Sequence, residues 1–414
     1  MGPSERVAYV IGRYPAVSHT FVTREVQALR AAGVEVRTIS IHRAADSDVL
    51  SALDRDEREA TYSLLPLRFR ALVGAHARAL RAPRAYFKTL AAALRGGSGG
   101  LKARLWRGFY FAEAIMVWGH CRREGVRHVH AHHLNQASDA AMLAADYANA
   151  ASRGPAWTWS FTMHGPNEFY DVSRFRLAEK AEKASFVACI SDFARSQVMA
   201  FVPEERWPRL HVVHCGVDPD EYDPKSVAAD TPNESGFAIL YVGRLVPFKG
   251  QGLLLEALAE LRRTSTEPTL TLIGDGPSRE ELELKAARLG LDGAVKFAGA
   301  VGQDEIRSYF AAADAFCLPS FAEGVPVVLM EAMAMELPVV TTRVMGISEL
   351  VEDGVDGILI RPGRLDALTS SLARLAADPR LREELGRRAR EKVRAEFDVR
   401  QSGRELAAIL AQDF

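Results

Sequence analysis

Four side chains in the C-terminal half, Arg244, Lys249, Glu323 and Glu331, have the types and spacing to hold a charged, hydroxyl-rich ligand. The stretch Ala238–Val242 reads as a strand and runs into Gly243-Arg244-Leu245-Val246-Pro247-Phe248-Lys249-Gly250. Gly243 permits close approach of the backbone. Arg244 offers a planar guanidinium fork and Lys249 a point charge. The helix expected from Gln251 adds free N–H groups at its start, and the three together suit a diphosphate. Each such charge-assisted bond contributes about 1.5–3 kcal/mol. An isolated Arg and Lys would be read as solvated surface charges, so the assignment depends on what accompanies them. A strand at Ala315–Leu318 ends in Pro319-Ser320-Phe321-Ala322-Glu323-Gly324-Val325-Pro326, and a helix through Glu331 follows. Seven residues separate the two glutamates, which puts one carboxylate in the loop before the helix and the other about one turn into it. Carboxylates held apart in this way suit two hydroxyl clusters on one ligand, such as a ribose diol and a hexose ring. Gly274-Asp275-Gly276-Pro277, after a strand at Thr269–Ile273, is on its own only a turn.

The N-terminal half is rich in histidine. His164 follows a strand at Thr158–Met163, and His128-Val129-His130-Ala131-His132-His133 fills another strand end. His130 and His132 share one strand face and invite a zinc reading, but no acidic or cysteine ligand is near in sequence, so no metal is expected. The histidines of the run other than His132 read as exposed. After the first strand the loop is Tyr14-Pro15-Ala16-Val17-Ser18-His19-Thr20-Phe21, in which Ser18 and Thr20 are candidates to cap the following helix.

These residues need a scaffold of strand ends, and the chain supplies one. Its 414 residues exceed one ordinary core, and 48% hydrophobic content suffices for two. Strands at Val7–Ile11, Val34–Ile41, His128–His132, Thr158–Met163, Phe186–Ile190 and Leu210–His214 alternate with helical stretches. The pattern restarts after Asp220–Ser235, which reads as a linker, with strands at 238–242, 269–273, 295–298, 315–318 and 339–341. Such alternation predicts two doubly wound α/β domains, which bind ligands beyond the carboxyl ends of their strands. The segment Ala60–Ala112 differs. It holds ten Lys and Arg and no Asp or Glu, interleaved with large apolar residues and divided by Gly96–Gly100, and it predicts a pair of basic amphipathic helices able to meet an anionic membrane surface. The opposing reading makes these ordinary surface helices with their aromatic residues in the core. A net charge of −1 gives no nucleic-acid signature. Four scattered cysteines, no leader ahead of the first strand and no long apolar run predict a cytoplasmic protein.

Taken together, Gly243-Arg244 with Lys249-Gly250, Gly274-Asp275-Gly276-Pro277, Pro319-Ser320 and Glu323-x7-Glu331 resemble the donor domain of the family 4 retaining glycosyltransferases. The resemblance covers nearly the whole chain and is most specific from 238 to 361. It implies a GT-B fold, two Rossmann-like domains facing a central cleft. The N-terminal acceptor domain would span 1–217 and the C-terminal donor domain 218–395, with 396–414 returning to the first. It implies that Arg244 and Lys249 hold the diphosphate of a nucleotide sugar. Glu323 would bind the sugar hydroxyls, helped by N–H groups of Gly324 and Val325, Glu331 the ribose, and the neighbourhood of Gly243, Gly274 and Ala300 the nucleobase side. His164 would be the active-site histidine. Ser191-Asp192-Phe193 and Cys215-Gly216-Val217-Asp218 also match, the latter as the entry to the linker. No cofactor or metal is implied. The loop Tyr14–Phe21 resembles a subgroup of bacterial exopolysaccharide and lipopolysaccharide assembly enzymes in which an acidic residue is usual where His19 stands. A lipid-linked or glycan acceptor is implied, met by Ser18, His19, Thr20 and His132. A small soluble acceptor, a sugar-nucleotide epimerase and a non-catalytic nucleotide-sugar binder remain as other readings. Nucleotide base, donor sugar and oligomeric state are open.

Overall fold

The computed structural model describes residues 6–96, 100–152, 154–227, 236–264 and 267–412. Gly97–Gly99 of the glycine run, residues 228–235 of the expected linker and the side chain of Ser18 lie outside that description. The chain divides into two units. The first runs to His214 and resumes at Gln401, and the second is Cys215–Arg400.

The first unit holds β1 (Arg6–Tyr14), β2 (Glu35–Arg43), β3 (Tyr62–Leu65), β4 (His128–His132), β5 (Thr158–Met163), β6 (Val187–Cys189) and β7 (Leu210–Val212). They form one sheet in the order β3-β2-β1-β4-β5-β6-β7, with every pairing parallel. The second holds β8 (Ala238–Val242), β9 (Thr269–Ile273), β10 (Val295–Gly299), β11 (Ala315–Leu318), β12 (Val339–Thr342) and β13 (Ile358–Ile360), in the order β10-β9-β8-β11-β12-β13, also all parallel. Both units are therefore Rossmann-like, with strand order reversing between β1 and β4 and between β8 and β11. Loops on the two sides of such a reversal splay apart and leave a crevice at the carboxyl edge.

The strands are continuous apolar runs because both faces are covered. Along β1, Ala8 and Val10 pack on one side with the alanine-rich helix Gln136–Ala151, whereas Val7, Tyr9 and Ile11 pack on the other with Val22, Val26 and Leu29 of the helix Thr20–Ala31. The second side is completed by the chain's last helix, Val399–Leu410, whose Leu406 and Leu410 are fully buried there. Gly403 brings this helix close to Ala28, since an added Cβ would come within 2.6 Å of the alanine methyl. Within the second unit the outgoing and returning chain are paired: Val217 N–H donates to Phe397 O and Val399 N–H to Val217 O, both at 3.0 Å.

The basic segment departs from its expected form. Tyr62–Leu65 is the edge strand of the first sheet, and three helices follow rather than two: Phe69–Ala79, Pro83–Arg95 and Leu101–Glu124. Pro83 divides the first arm. It stands at the first position of its own helix, where a missing N–H costs nothing, and it disfavours helical geometry in the residue before it. The burial within these helices is also inverted. Ala75, Ala79, Ala85 and Ala93 are buried, whereas Phe69 is 74% exposed, Phe87 59%, Leu105 61% and Trp106 52%. Phe69, Phe87, Leu105 and Trp106 are therefore not part of its core. No helix among the described residues is long and apolar enough to cross a membrane.

Because Leu406 fills the core of the first unit from a distant part of the chain, Leu406→Ala is expected to lower that unit's stability by about 2–5 kcal/mol, read by urea denaturation. A loss below ~1 kcal/mol would show that the last helix is only loosely attached.

Candidate active site

In the second unit the site residues are brought together by main chain packed on main chain. Gly243 N–H donates to Ile273 O at 2.9 Å, Leu245 N–H to Asp275 O at 3.0 Å and Gly274 N–H to Gly299 O at 2.7 Å. These bonds join the loops after β8, β9 and β10. A Cβ on Gly274, whose φ is +126°, would lie 2.1 Å from the carbonyl oxygen of Gly243. On the other side of the strand reversal, Phe321 N–H donates to Phe248 O at 2.7 Å. There Gly250 (φ +75°) approaches the carbonyl of Pro319 so closely that a Cβ would stand 2.1 Å from its oxygen. The consequence is a contact between residues 74 apart: Lys249 Nζ lies 2.6 Å from Glu323 Oε1. Glu323 is buried and the Lys249 side chain is 17% exposed.

Arg244 is exposed beside this pair, while its carbonyl accepts a hydrogen bond from Gln251 Nε2 at 2.9 Å. Gln251, buried, also donates to Tyr241 Oη at 2.8 Å, which fixes the loop carrying Arg244 and Lys249. Glu331 lies in the helix Val327–Ala334 and is buried, with Oε1 3.1 Å from Tyr222 Oη. Tyr222 Oη is also 2.9 Å from Gln303 Oε1, and its carbonyl accepts from Arg390 Nη1 at 2.7 Å. The stretch read as a linker thus contributes a wholly buried tyrosine to the carboxylate's surroundings. Ala300 is exposed next to Gly299 and so sits beside Gly274. Gly324 and Val325 lie between the glutamates, just before the helix start, with Val325 buried.

The first unit carries a second cluster at its own strand ends. His132, fully buried at the end of β4, has Nδ1 2.8 Å from His164 Nε2, just beyond β5. Its Nε2 is 3.3 Å from Glu25 Oε1, which also accepts from Tyr9 Oη at 2.6 Å. A line of contacts therefore runs from Tyr9 through Glu25 and His132 to His164. The turn bearing His164 is clamped by Glu168, which accepts from His164 N–H at 2.7 Å and Gly165 N–H at 3.1 Å. Burial would raise the Glu168 carboxyl pKa, but His133 and the backbone N–H groups of Leu134 and His164 outweigh it and hold it below the usual range. Burial, reinforced by His133, His132, His19 and His130, holds the His164 imidazole well below its ordinary pKa. It is neutral near pH 7, so it can accept or donate a hydrogen bond but brings no charge. The Phe21 ring lies against it, tilted by 40°, with ring centroids 4.5 Å apart.

Three expectations are corrected. His128 and His130 are buried, not exposed: His128 bonds the hydroxyls of Thr158 and Ser160, and His130 those of Ser160 and Thr162. Thr20 does not cap its helix. It is the first helical residue, His19 occupies the cap position, and no side chain there accepts an N–H. An acidic neighbour does exist for the histidines, since Glu25, His130 and His132 offer atoms within 4.8 Å of one another. Both His130 ring nitrogens are, however, already matched to hydroxyls, so the cluster reads as a hydrogen-bonded network. His19 has its Nδ1 3.3 Å from Arg13 O and its ring 5.2 Å from that of His133. Residues that sequence reasoning passed over are Glu25, Glu168, Tyr222 and Gln251; only Gln251, at the helix start after Gly250, gave a positional cue.

Two Rossmann-like units with candidate site residues at their strand reversals define a GT-B type fold, and solved structures of that kind superpose on nearly the whole chain. The crystal structure of Anabaena HepE in complex with UDP-glucose matches with a TM-score of 0.70 at 20% identity, covering 99% of this chain and 100% of that one. A sucrose-phosphate synthase from Thermosynechococcus elongatus also gives 0.70 at 20% identity, covering 99% of each chain. Residues 223–392 match the family described as glycosyl transferases group 1. The chain's relatives include an alpha-D-kanosaminyltransferase of Streptomyces kanamyceticus, 31% identical over 58% of this chain and 63% of that one. The amylovoran biosynthesis glycosyltransferase AmsK of Erwinia amylovora is 36% identical over 49% of this chain and 50% of that one. The chain thus spans about half to two thirds of the length of the curated relatives it matches.

Two outcomes follow from this geometry. Gly250→Ala forces a Cβ into a carbonyl in a left-handed conformation, and is expected to cost about 2 kcal/mol or more. A thermal melt of the second unit reads this, and an unchanged Tm would show that the Pro319 loop can give way. In the first unit, burial lowers the His128 pKa to about 3, and burial with His133 lowers that of His19 to about 4. As pH falls below about 6.5 the unfolded chain takes up protons that the folded one refuses, so stability falls with falling pH. Melting between about pH 7 and pH 5 should show this loss, with a shallower slope in His128→Asn.

Proposed function

We propose that this protein is a retaining, metal-independent glycosyltransferase that moves a hexose-type sugar from a nucleotide diphosphate sugar to a hydroxyl acceptor. The observation that carries this reading is the Lys249–Glu323 contact of 2.6 Å. It puts a cation for phosphate beside a carboxylate for hydroxyls, and a sugar bonded directly to a phosphate presents both groups at that spacing. The match of residues 223–392 to the glycosyl transferases group 1 model and the UDP-glucose complex of the HepE neighbour support a nucleotide sugar as donor.

In this reading Arg244 and Lys249 hold the diphosphate and neutralise the charge that grows as it leaves, by preorganised electrostatics. Glu323, with the N–H groups of Gly324 and Val325, holds the sugar hydroxyls. Glu331 takes the ribose, and Gly243, Gly274 and Ala300 take the base side. The acceptor hydroxyl attacks from the face the diphosphate leaves, and a departing phosphate oxygen accepts its proton. His164, neutral and braced by His132, hydrogen-bonds the donor sugar, while His19, Thr20 and His132 lie on the acceptor side.

The acceptor is proposed to be a lipid-linked or glycan hydroxyl of bacterial surface polysaccharide assembly, in line with the AmsK relative's name. The protein is proposed to work in the cytoplasm, at the inner face of the membrane, through the basic helices. A small soluble acceptor is the second reading, favoured by the likeness to the kanosaminyltransferase.

The test is a thermal-shift panel of nucleotide diphosphates and nucleotide sugars, with and without magnesium. One nucleotide diphosphate is expected to raise Tm without magnesium. Lys249→Ala is expected to abolish that shift and to lower transfer by about 100-fold or more. No shift with any nucleotide, or transfer within a few-fold of the parent, would overturn the assignment.

A further inference from the structure

An open cavity of about 1090 Å³ lies in the first unit, apart from the histidine cluster. It is at the upper end of the roughly 300–1,000 Å³ that holds drug-sized ligands. Its apolar lining includes Leu67, Leu72, Trp106, Phe109 and Met116. Part of its polar lining comes from the carboxyl edge of the sheet: His42 near the end of β2, Gln136 at the helix after β4 and Arg174 beyond β5; Lys102 and Glu113 come from the helix Leu101–Glu124. That edge is where doubly wound sheets bind ligands.

One group in the lining lacks a partner. Glu113 is 8% exposed, and its Oε1 accepts from Gln136 Nε2 at 2.6 Å, but its Oε2 is buried without a hydrogen bond. Leaving a buried polar atom unmatched is unfavourable, so a ligand atom that reaches it is favoured. Burial also pushes the Glu113 carboxyl up to about 7, against the pull of Gln136 and with a push from Asp139, so near neutral pH it can donate as well as accept.

The outer rim combines apolar and cationic groups. Phe109 is 60% exposed, Leu67 56% and Trp106 52%, and the exposed Lys102 and Arg174 stand among them in the lining. The segment Ala60–Ala112, which supplies much of the lining, holds ten Lys and Arg and no acidic residue. An exposed apolar rim rarely persists without an occupant, and a cationic one selects for an anion.

We propose that this cavity binds a long-chain hydrocarbon phosphate drawn from a bilayer. Its phosphate end would lie against Arg174 and Lys102 with an oxygen at Glu113 Oε2, and its chain would run out between Leu67, Trp106 and Phe109. The inference deepens the acceptor half of the proposed function and rests on that reading for the purpose of the site; the binding itself needs no donor.

The test uses the full chain and phosphatidylcholine vesicles carrying phytanyl monophosphate, against vesicles matched in charge with phosphatidylglycerol. Binding is read by sedimentation and by the fluorescence of Trp106, with Trp106→Phe as the signal control. The phytanyl phosphate vesicles are expected to bind about tenfold more tightly. Ala103→Trp, which fills the cavity from its lining, is expected to remove that excess while leaving salt-sensitive binding to both vesicles. Glu113→Leu, which keeps the bulk but removes Oε2 and stands if Ala103→Trp fails to fold, is expected to reduce the excess several-fold. Equal affinity for both vesicles would overturn the proposal in favour of surface charge alone. So would competition by inorganic phosphate as strong as that by phytanyl phosphate, or a concentration-dependent dimer that covers Trp106. The nucleotide thermal shift is measured on the same samples. Its loss with chain binding intact sinks the transferase reading and spares the cavity, whereas its survival with no preference for the chain does the reverse.

Discussion

The second unit depends on how closely peptide groups can approach at the carboxyl edge of its sheet. A side chain of even one carbon at Gly250 or Gly274 would collide with the carbonyl of Pro319 or Gly243. Without it the loops on the two sides of the strand reversal touch through their backbones, and backbone contact is stiffer than contact between flexible side chains. Lys249 and Glu323 inherit their positions from that stiffness. Two opposite charges mostly withdrawn from water are costly to hold unless their geometry is good. Here the loops define it, so the charges need not find one another by side-chain search, and Gln251, anchored to Tyr241 and to the Arg244 carbonyl, pins the same loop from beneath.

The first unit solves a different problem by a different means. Its strand ends carry rings rather than opposed charges, and burial keeps those of His128, His130 and His164 neutral. A neutral imidazole has one donor and one acceptor, so each must be matched correctly. Hydroxyls of Ser160, Thr158 and Thr162, which can turn to suit either, line β5 opposite the histidines of β4. Glu168 does the equivalent for the turn at His164, accepting its N–H groups as a helix cap would.

Much of this was legible in the sequence, for a physical reason. Apolar runs bounded by glycine marked the strands, and Arg244, Lys249, Glu323 and Glu331 stood out because each follows a strand end or opens a helix. What escaped were partners supplied from far along the chain. Tyr222 lies in a stretch with no periodicity, yet it is buried against Glu331, 109 residues later. Glu25 sits on an ordinary amphipathic helix, and nothing local shows that it meets His132. The histidines of β4 were misjudged because polarity was taken to mean exposure, whereas a matching row of hydroxyls makes their burial affordable. In the basic segment, alternation of charged and apolar residues showed helices but not which side faced inward; alanine, not the aromatic residues, turned out to be the inward face.

The helix Leu101–Glu124 has a mechanical meaning. Its 24 residues form one uninterrupted rod, about 36 Å long at 1.5 Å per residue. Leu101, Leu105, Trp106 and Phe109 stand bare on its first half, whereas Phe111, Ile115, Val117 and Cys121 are embedded among the alanines of Gln136–Ala151 on its second. A grip on the outer half is therefore a grip on the sheet: it sets the tilt of the seven strands and the direction in which their carboxyl edge points. Orientation, rather than attachment alone, is what such a lever would confer on an enzyme working at a surface.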